Sequence, residues 1–404
     1  MISSLYAGVQ GINANSKALG VIGSNIANVN TGAYKSGNIS FATVLGETVA
    51  NGGVKVWGMS KTWAQGALGY TTNTTDLAII GNGLFVVEDP DGADYYSRAG
   101  AFFFDKDGQL VNEDGYTVQG LAVASGTTTG SPTAIDISSV TSTPKATSEM
   151  RMAMNLDSAT PASGTFSNTI SVYDSLGNQI PLTLTFTKDS SAANTWEVTG
   201  SVPSSISSGT ITFDTSTLVF GADGKLSSPA DTDIEITIPD VSTGASATMT
   251  VTWDLYDDVN NTAYNDMTQF SGSSGVTFQN QDGYATGSVS SVQVGEDGMV
   301  TGVFTNGKTK ALYQIVLAKF PSYQGLAAVG NNLYAATIDS GEPVIGAART
   351  SGRGSISQSS LEMSNVDLAT EFVKMIVTQR AYQANAKVIT TSNEVLQELI
   401  NMKR

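Results

Sequence analysis

The residues of this sequence best equipped for chemistry are carboxylates, because it contains neither His nor Cys. Without His there is no side chain that ordinarily titrates near neutral pH, and the commonest metal ligand is missing. Without Cys there is no thiolate nucleophile, no disulfide and no Cys-ligated zinc. Asp105-Lys106-Asp107-Gly108 opens like a calcium loop, but Gln109 stands at its fifth position and Tyr116 at its twelfth, where an EF-hand needs a further ligand and a Glu. A hairpin turn is the better reading. Asp231, Asp233 and Glu235 alternate, which puts them on one face of a strand. A carboxylate pair of this kind can do acid–base work, yet polar surroundings and Pro239 favour a solvated strand face. Gly81-Asn82-Gly83 follows Leu77–Ile80 and invites a dinucleotide-loop reading, which requires a helix next. Instead Leu84-Phe85-Val86-Val87 continues as a strand. Arg380 and Tyr382 lie in a C-terminal helix too sparse in cations for nucleic acid or a membrane surface. No nucleophile–base pair can be nominated, and no cofactor or metal is implied.

Charge points the same way. The chain of 404 residues carries a net charge of −16, against a nucleic-acid partner. The charge is unevenly placed. Lys17, Lys35, Lys55 and Lys61 against Glu47 give residues 1–70 a charge of +3. Residues 361–404 balance five acids with five bases, and residues 71–360 hold thirty acids and eleven bases, a charge of −19. Near-neutral ends can approach one another, while an acidic middle suits a solvated exterior. No run of 18 apolar residues is present, so no membrane-inserted helix is expected. The start, MISSLYAGVQGINANSK, lacks a basic leader region.

The elements that would position any site are helical at both ends and β between them. At the N-terminus Ile2, Leu5, Val9, Ile12, Ser16, Leu19, Gly23 and Ile26 recur at spacings of three and four, a heptad seam. Gly8, Gly11, Gly20 and Gly23 share that stretch. At about 1 kcal/mol each relative to Ala, they make the helix marginal unless it is packed. At the C-terminus Leu368, Phe372, Met375, Gln379, Tyr382, Ala386, Ile389, Asn393, Leu396 and Ile400 keep the same spacing, preceded by the capping signal Ser364-x-x-Asp367. No Gly or Pro interrupts 365–404, enough for a helix of about 60 Å. Polar seam residues such as Gln379 and Asn393 specify register at a cost in stability. The partner of each seam is the other seam, from the same chain as a two-helix hairpin or from a neighbour.

Between the ends, Pro90-Asp91-Gly92, Asp107-Gly108, Leu176-Gly177-Asn178, Asp223-Gly224, Asp297-Gly298 and Asn306-Gly307 are hairpin-turn signals flanked by β-favouring residues. Ser125–Thr133 and Thr141–Thr147 read as loops or a boundary, and Ser271–Gly275 as a second such region. The expected fold is mainly β with α-helical termini, in a nested order. Residues 1–29 with 365–404 form a coiled-coil-like helical domain and 30–70 with 356–364 an extended connector. Residues 71–145 with 277–355 form a discontinuous antiparallel β domain, and 146–276 an inserted outer β domain anchored by Trp196 and Trp253.

The motifs at the two ends carry a resemblance. Ser24-Asn25-Ile26-Ala27-Asn28 followed by Thr31-Gly32-Ala33-Tyr34-Lys35-Ser36 resembles the N-terminal signature of the flagellar rod and hook axial proteins, usually N-N-I-A-N then T-x-G-[FY]-K. Here Ser24 replaces the first Asn, and the Gly stands one position early, at Gly32. Asp76–Ile79 with Gly81–Phe85, and Tyr96-Ser97-Arg98-Ala99-Gly100 with the positions after it, resemble further blocks of the family. So do Leu361–Leu368, which includes Ser364 and Asn365, and Met375–Asn385, which includes Gln379 and Arg380. The extra segment 146–276, followed by Gln314–Phe320, is similar to the hook subunit rather than to the shorter rod proteins.

That resemblance implies an extracellular structural protein of the bacterial flagellum, exported unfolded through the flagellar type III apparatus. It implies a helical homopolymer with the terminal helices lining a tube and the β domains outside. The tube acts as a flexible joint passing torque to the filament. The implied partners are other copies, the distal rod, the hook cap, the hook–filament junction proteins and the export apparatus. A cysteine cross-link found in some hooks does not carry over. The alternatives are a distal rod protein, which should lack 146–276, and a secreted β-rich adhesin or carbohydrate-active enzyme.

Overall fold

The computed structural model describes residues 2–44, 53–124, 126–229, 232–239, 241–246, 248–257, 262–263 and 266–402. It is mainly β, with a helix near each end: α1, Ile2–Ala27, and α2, Leu368–Met402. The chain divides into two compact units. One holds residues 1–140, 291–303 and 309–404, and the other 141–290 and 304–308.

In the first unit the two helices pack antiparallel. Ser4 Oγ meets Ser392 Oγ at 3.4 Å, and the Asn25 amide donates to Glu371 Oε2 at 3.0 Å near the other end. Small residues set the approach. A Cβ on Gly8 would stand 3.0 Å from Ile389 Cγ1, and one on Gly11 only 2.7 Å from Asn385 Cγ. The buried stripe of α1 is therefore Gly8, Gly11, Ala14, Ala18, Ile22 and Asn25. α2 begins under an Asp367 cap, whose Oδ1 accepts the Ala369 N–H at 3.0 Å and Oδ2 the Thr370 hydroxyl at 2.7 Å. Ser364, the other half of the capping signal, stands before that cap.

After α1 the chain forms the antiparallel hairpin β1, Gly37–Val44, and β2, Gly53–Lys61. The short strand β3, Leu68–Tyr70, pairs with Ser360–Glu362, and β4, Leu77–Ile80, pairs with Ser355–Gln358. These two ladders zip the early chain to the late chain beneath the helices. β5, Leu84–Glu88, and β6, Asp94–Ser97, extend an antiparallel sheet whose central strand is Thr309–Lys319. Ile315–Ala318 in that strand is fully buried, as a strand covered on both faces requires. Leu84, Val86, Tyr96, Val316, Phe320 and Tyr334 form one core. The reading of Ser125–Thr133 as a loop is corrected. Thr127–Ala134 is a strand paired with Thr117–Ala124, because β-branched Thr favours an exposed strand and Gly126, at φ 79°, supplies the turn; Ser125 itself lies outside the described residues.

The second unit is built from two sheets. One centres on Glu149–Asn155, Ile234–Ile238 and Met249–Trp253, and the other on Thr165–Tyr173, Gln179–Lys188 and Thr195–Ser201. Alternate side chains point inward, as in Met150-x-Met152-x-Met154 and Leu182-x-Leu184-x-Phe186, and merge into one core. Trp196 and Trp253 are both fully buried there. The glycines of all six hairpin-turn signals have positive φ, from 75° to 86°.

Candidate functional site: a buried polar joint beneath the helices

Side chains from distant parts of the first unit converge where α1 and α2 meet the β-structure. Lys35, Arg98 and Glu362 form an ion triad. Lys35 Nζ lies 2.6 Å from Glu362 Oε1, and Arg98 NH1 lies 3.1 Å from Oε2. The side chains of Lys35 and Glu362 are completely buried and that of Arg98 nearly so. The Gly66 N–H also donates to Glu362 Oε1 at 2.8 Å. The cations are further satisfied by carbonyls, Lys35 by Ala64 at 2.9 Å and Arg98 by Ile79 at 3.2 Å and Gly81 at 2.5 Å. Burial pushes the Lys35 amine below its ordinary value, opposed by its bond to Glu362.

Amide side chains complete the joint. Asn25 acts as a surrogate strand: its Oδ1 accepts the Gly37 N–H at 2.8 Å and its Nδ2 donates to the Gly37 carbonyl at 2.9 Å. The same Nδ2 reaches Glu371 on α2, which also holds Lys374 at 2.7 Å. Asn365 does the equivalent work on the other side, accepting from Ser36 N–H at 2.8 Å and donating to the carbonyls of Thr62 and Ala64. Asn28 donates to the Ser24 carbonyl at 2.9 Å and accepts the Thr31 hydroxyl at 3.1 Å, closing the end of α1.

Ala33 stands at φ 58°, in the left-handed region, with its N–H bonded to the Glu362 carbonyl at 2.7 Å. Its backbone conformation is the one that the glycine of the usual T-x-G-[FY]-K pattern would adopt freely. In this chain the glycine is one residue early, at Gly32, whose φ is unremarkable.

Of the residues singled out in the sequence, Asn25, Asn28, Thr31, Lys35 and Asn365 are brought together here. Ser364 is adjacent, its hydroxyl accepting the Val366 N–H at 3.4 Å. Ala27 is the exposed last residue of α1, and Gln379 and Arg380 are exposed on α2 away from the joint. Glu371 was not singled out, although it follows Asp367 by one turn on the face carrying Met375.

The helical seams overlap the face between the two helices only in part, at Met375, Ala386, Ile389 and Leu396. The more enclosed side of α2 runs through Glu371, Met375, Thr378, Asn385, Ile389, Ser392 and Leu396. Leu368, Phe372, Gln379, Tyr382, Asn393 and Ile400 are exposed, Phe372 by 49% and Ile400 by 70%. On α1, Val9 is exposed and Leu5, Ile12, Leu19 and Ile26 are only half-buried. The physical reason is that close helix contact is made through glycine and alanine, so the larger apolar residues lie on its flanks.

Among the carboxylates weighed for catalysis, Asp105 and Asp233 hold backbone N–H groups. Asp105 Oδ1 accepts the N–H groups of Asp107 and Gln109, which makes a turn, not a cation loop. Asp233 accepts the Leu255 N–H, Glu235 is exposed, and Asp231 lies outside the described residues. Among the described residues no cluster of three or more carboxylates is placed to hold a metal ion, and no helix is long and apolar enough to cross a membrane.

A helix pair tied by Asn25 to the strand that follows it, beside β-structure held by a buried ion triad, defines a class of architectural subunit. Comparison with known proteins makes the assignment specific. Residues 5–35 match the flagella basal body rod protein family and 78–151 the D1 domain of flagellar hook protein FlgE/F/G. Residues 140–284 match the flagellar basal body protein FlaE D2 domain, and 357–402 the flagellar basal body rod FlgEFG protein C-terminal family. The flagellar hook protein FlgE of Salmonella typhimurium is 34% identical over 99% of this chain and all of its own length. That of Borreliella burgdorferi is 33% identical over the whole of both. A crystal structure of the Helicobacter pylori hook protein FlgE2 aligns over 73% of this chain and all of its own, at 16% identity and a TM-score of 0.43. The chain belongs to the flagellar hook protein FlgE family.

Proposed function

We propose that this chain is the structural subunit of the extracellular flagellar hook. Copies associate through their terminal helices into a flexible curved tube that transmits motor torque to the filament. The observation that carries this reading is the apolar surface that the helix pair leaves in water. Phe372, Val373, Ile376 and Val377 are each about half exposed or more along one stretch of α2, and Ile400 and Met402 are exposed near its end. Such a surface marks an association site. The family membership and the absence of a nucleophile–base pair support a non-enzymatic role.

The joint around Glu362 is where such a tube would pass load from its helices to its wall. A distal rod role is disfavoured by the second unit and by full-length similarity to hook proteins. Contacts with the distal rod, hook cap, hook–filament junction proteins and type III export apparatus belong to the same reading. Electron microscopy of concentrated protein tests it: curved tubes are expected from the intact chain and none from a chain lacking 365–404. Tubes from the truncated chain would refute it.

A further inference from the structure

In the first unit, a cavity of about 320 Å³ opens beside the base of the β1–β2 hairpin. Tyr34, Trp63, Tyr323 and Tyr334 give it an aromatic wall, and no Asp or Glu lines it. Lys61 reaches into this space. Its ammonium donates to the Tyr334 hydroxyl at 3.2 Å and lies 5.0 Å from the centre of that ring and 5.6 Å from that of Tyr34. Among the described residues no carboxylate comes within 4.0 Å of it, in contrast to buried Lys35. Burial pushes its pKa down. The Trp63 Nε1–H is also buried without an acceptor. A cavity with an aromatic wall, a cation without a carboxylate partner and an orphan donor is complementary to a carboxylate carried beside an apolar group.

The same unit displays such a group. In the turn Thr337–Gly341, Ile338 is 100% exposed and Asp339 beside it is exposed and makes no ion pair among the described residues. The turn is firmly built. Ser340 is fully buried, its hydroxyl donating to the Thr337 carbonyl at 2.8 Å and accepting the Thr337 N–H at 2.9 Å. The Thr337 hydroxyl donates to the Gly325 carbonyl at 2.6 Å, and Gly325 lies so close that a Cβ there would stand 2.3 Å from the Asp339 carbonyl carbon. Ile338 is thus held out on a fixed support.

We propose that the Ile338–Asp339 turn of one copy seats in the Lys61 cavity of a second copy, Ile338 covering the aromatic wall and Asp339 pairing with Lys61. Knob and hole are different patches of one surface, so the contact can be heterologous and, with a rotation that does not close a ring, repeat along a filament. This contact rests on the self-assembly reading and adds to it an interface outside the helices.

Charge reversal provides the first test. Lys61→Glu and Asp339→Lys should each raise the concentration needed for polymerisation by about tenfold or more. The double variant K61E/D339K, with the pair inverted, should recover most of that loss. A double variant no better than its worse parent, or single variants without effect, would overturn the contact. A second test leaves Lys61 unchanged, in case its replacement prevents folding. Because the chain has no Cys, Ala328→Cys in the cavity wall combined with Ile338→Cys should give a disulfide-linked ladder in oxidised polymer, absent from either single variant. Polymer without a ladder overturns this contact alone, whereas no polymer from the unaltered chain overturns the self-assembly reading and the contact with it.

Discussion

Replacing Glu362 by Gln should be the most damaging isosteric change in the first unit. The substitution keeps the size of the side chain and a carbonyl oxygen for the Gly66 N–H, but removes the negative charge that Lys35 and Arg98 share. At 2.6 and 3.1 Å, each pair is worth about 5 kcal/mol of attraction at an effective dielectric of about 20, much of it offset by desolvation. With the carboxylate gone the desolvation remains, and the expected loss is about 3–5 kcal/mol. That is a large share of the 5–15 kcal/mol or so that ordinarily holds a domain together. The assay is urea unfolding followed by hydrogen exchange. Peptides from Leu77–Ile80 and Ser355–Glu362 should lose protection, while those around Trp253, which share none of these contacts, should not.

The loss should also depend on pH. Burial already holds the Lys35 amine below its ordinary value of 10.5, and without Glu362 it should fall further. The folded state then binds fewer protons than the unfolded one below that value, so the variant should regain stability as pH rises from 7 towards 10. A triple apolar variant, Lys35→Met with Arg98→Met and Glu362→Leu, should cost less than the single charge removal, since no buried charge is left unpaired. A loss under about 1 kcal/mol for Glu362→Gln, or a triple variant as damaged as the single one, would refute the reasoning.

Three further outcomes follow from the same packing. Gly11→Ala should disrupt the helix pair despite a helix-propensity gain of about 1 kcal/mol, because its Cβ meets Asn385, whereas Gly20→Ala, with nothing within 4 Å, should raise helicity; circular dichroism of the monomer distinguishes them. Ala33→Gly should leave stability in thermal unfolding within about 1 kcal/mol of the parent, as relief of about 1–2 kcal/mol of left-handed strain offsets one lost buried methyl and the freer unfolded glycine, whereas a larger Ala33→Val, which keeps the strain, should destabilise. Burial raises the hydroxyls of Tyr96 and Tyr334 to about 12 against an ordinary 10.0. Their contribution is therefore intact below pH 10 and lost as pH rises towards 12, so alkaline unfolding monitored by tyrosinate absorbance should be delayed in Tyr96→Phe and Tyr334→Phe.

Local signals in the sequence carried the elements well, and failed where a residue's role depends on a distant partner. An uninterrupted 365–404 without Gly or Pro reads directly as a helix, and Asp-Gly and Asn-Gly steps read as hairpin turns because their geometry is set within four residues. Thr127–Ala134 misled because its Gly and Ser content resembles a loop, while its Thr residues settle the exposed strand. The contact between the two helices was hidden for a different reason. A heptad of large apolar residues is the usual sign of a contact seam, but α1 approaches α2 through Gly8 and Gly11, which carry no hydrophobic signal at all.

The polar joint shows that limit most sharply. Lys35 and Asn365 stood out through a resemblance, yet nothing local to Glu362 or Glu371 marks either carboxylate as buried. Their burial is decided by Lys35, Arg98 and Asn25, hundreds of residues away in sequence. Their chemistry also explains why the joint is polar. An apolar seam resists separation but slides at little cost, since dispersion and the hydrophobic effect have no direction. A carboxylate held by two cations and a backbone N–H fixes both distance and angle, and a slip of an ångström or two leaves buried charges unpaired. On the proposed reading, a subunit that passes twisting load from its helices to its wall needs that directional stiffness at the place where they join, and the open apolar flank of α2 can then adjust against neighbouring copies.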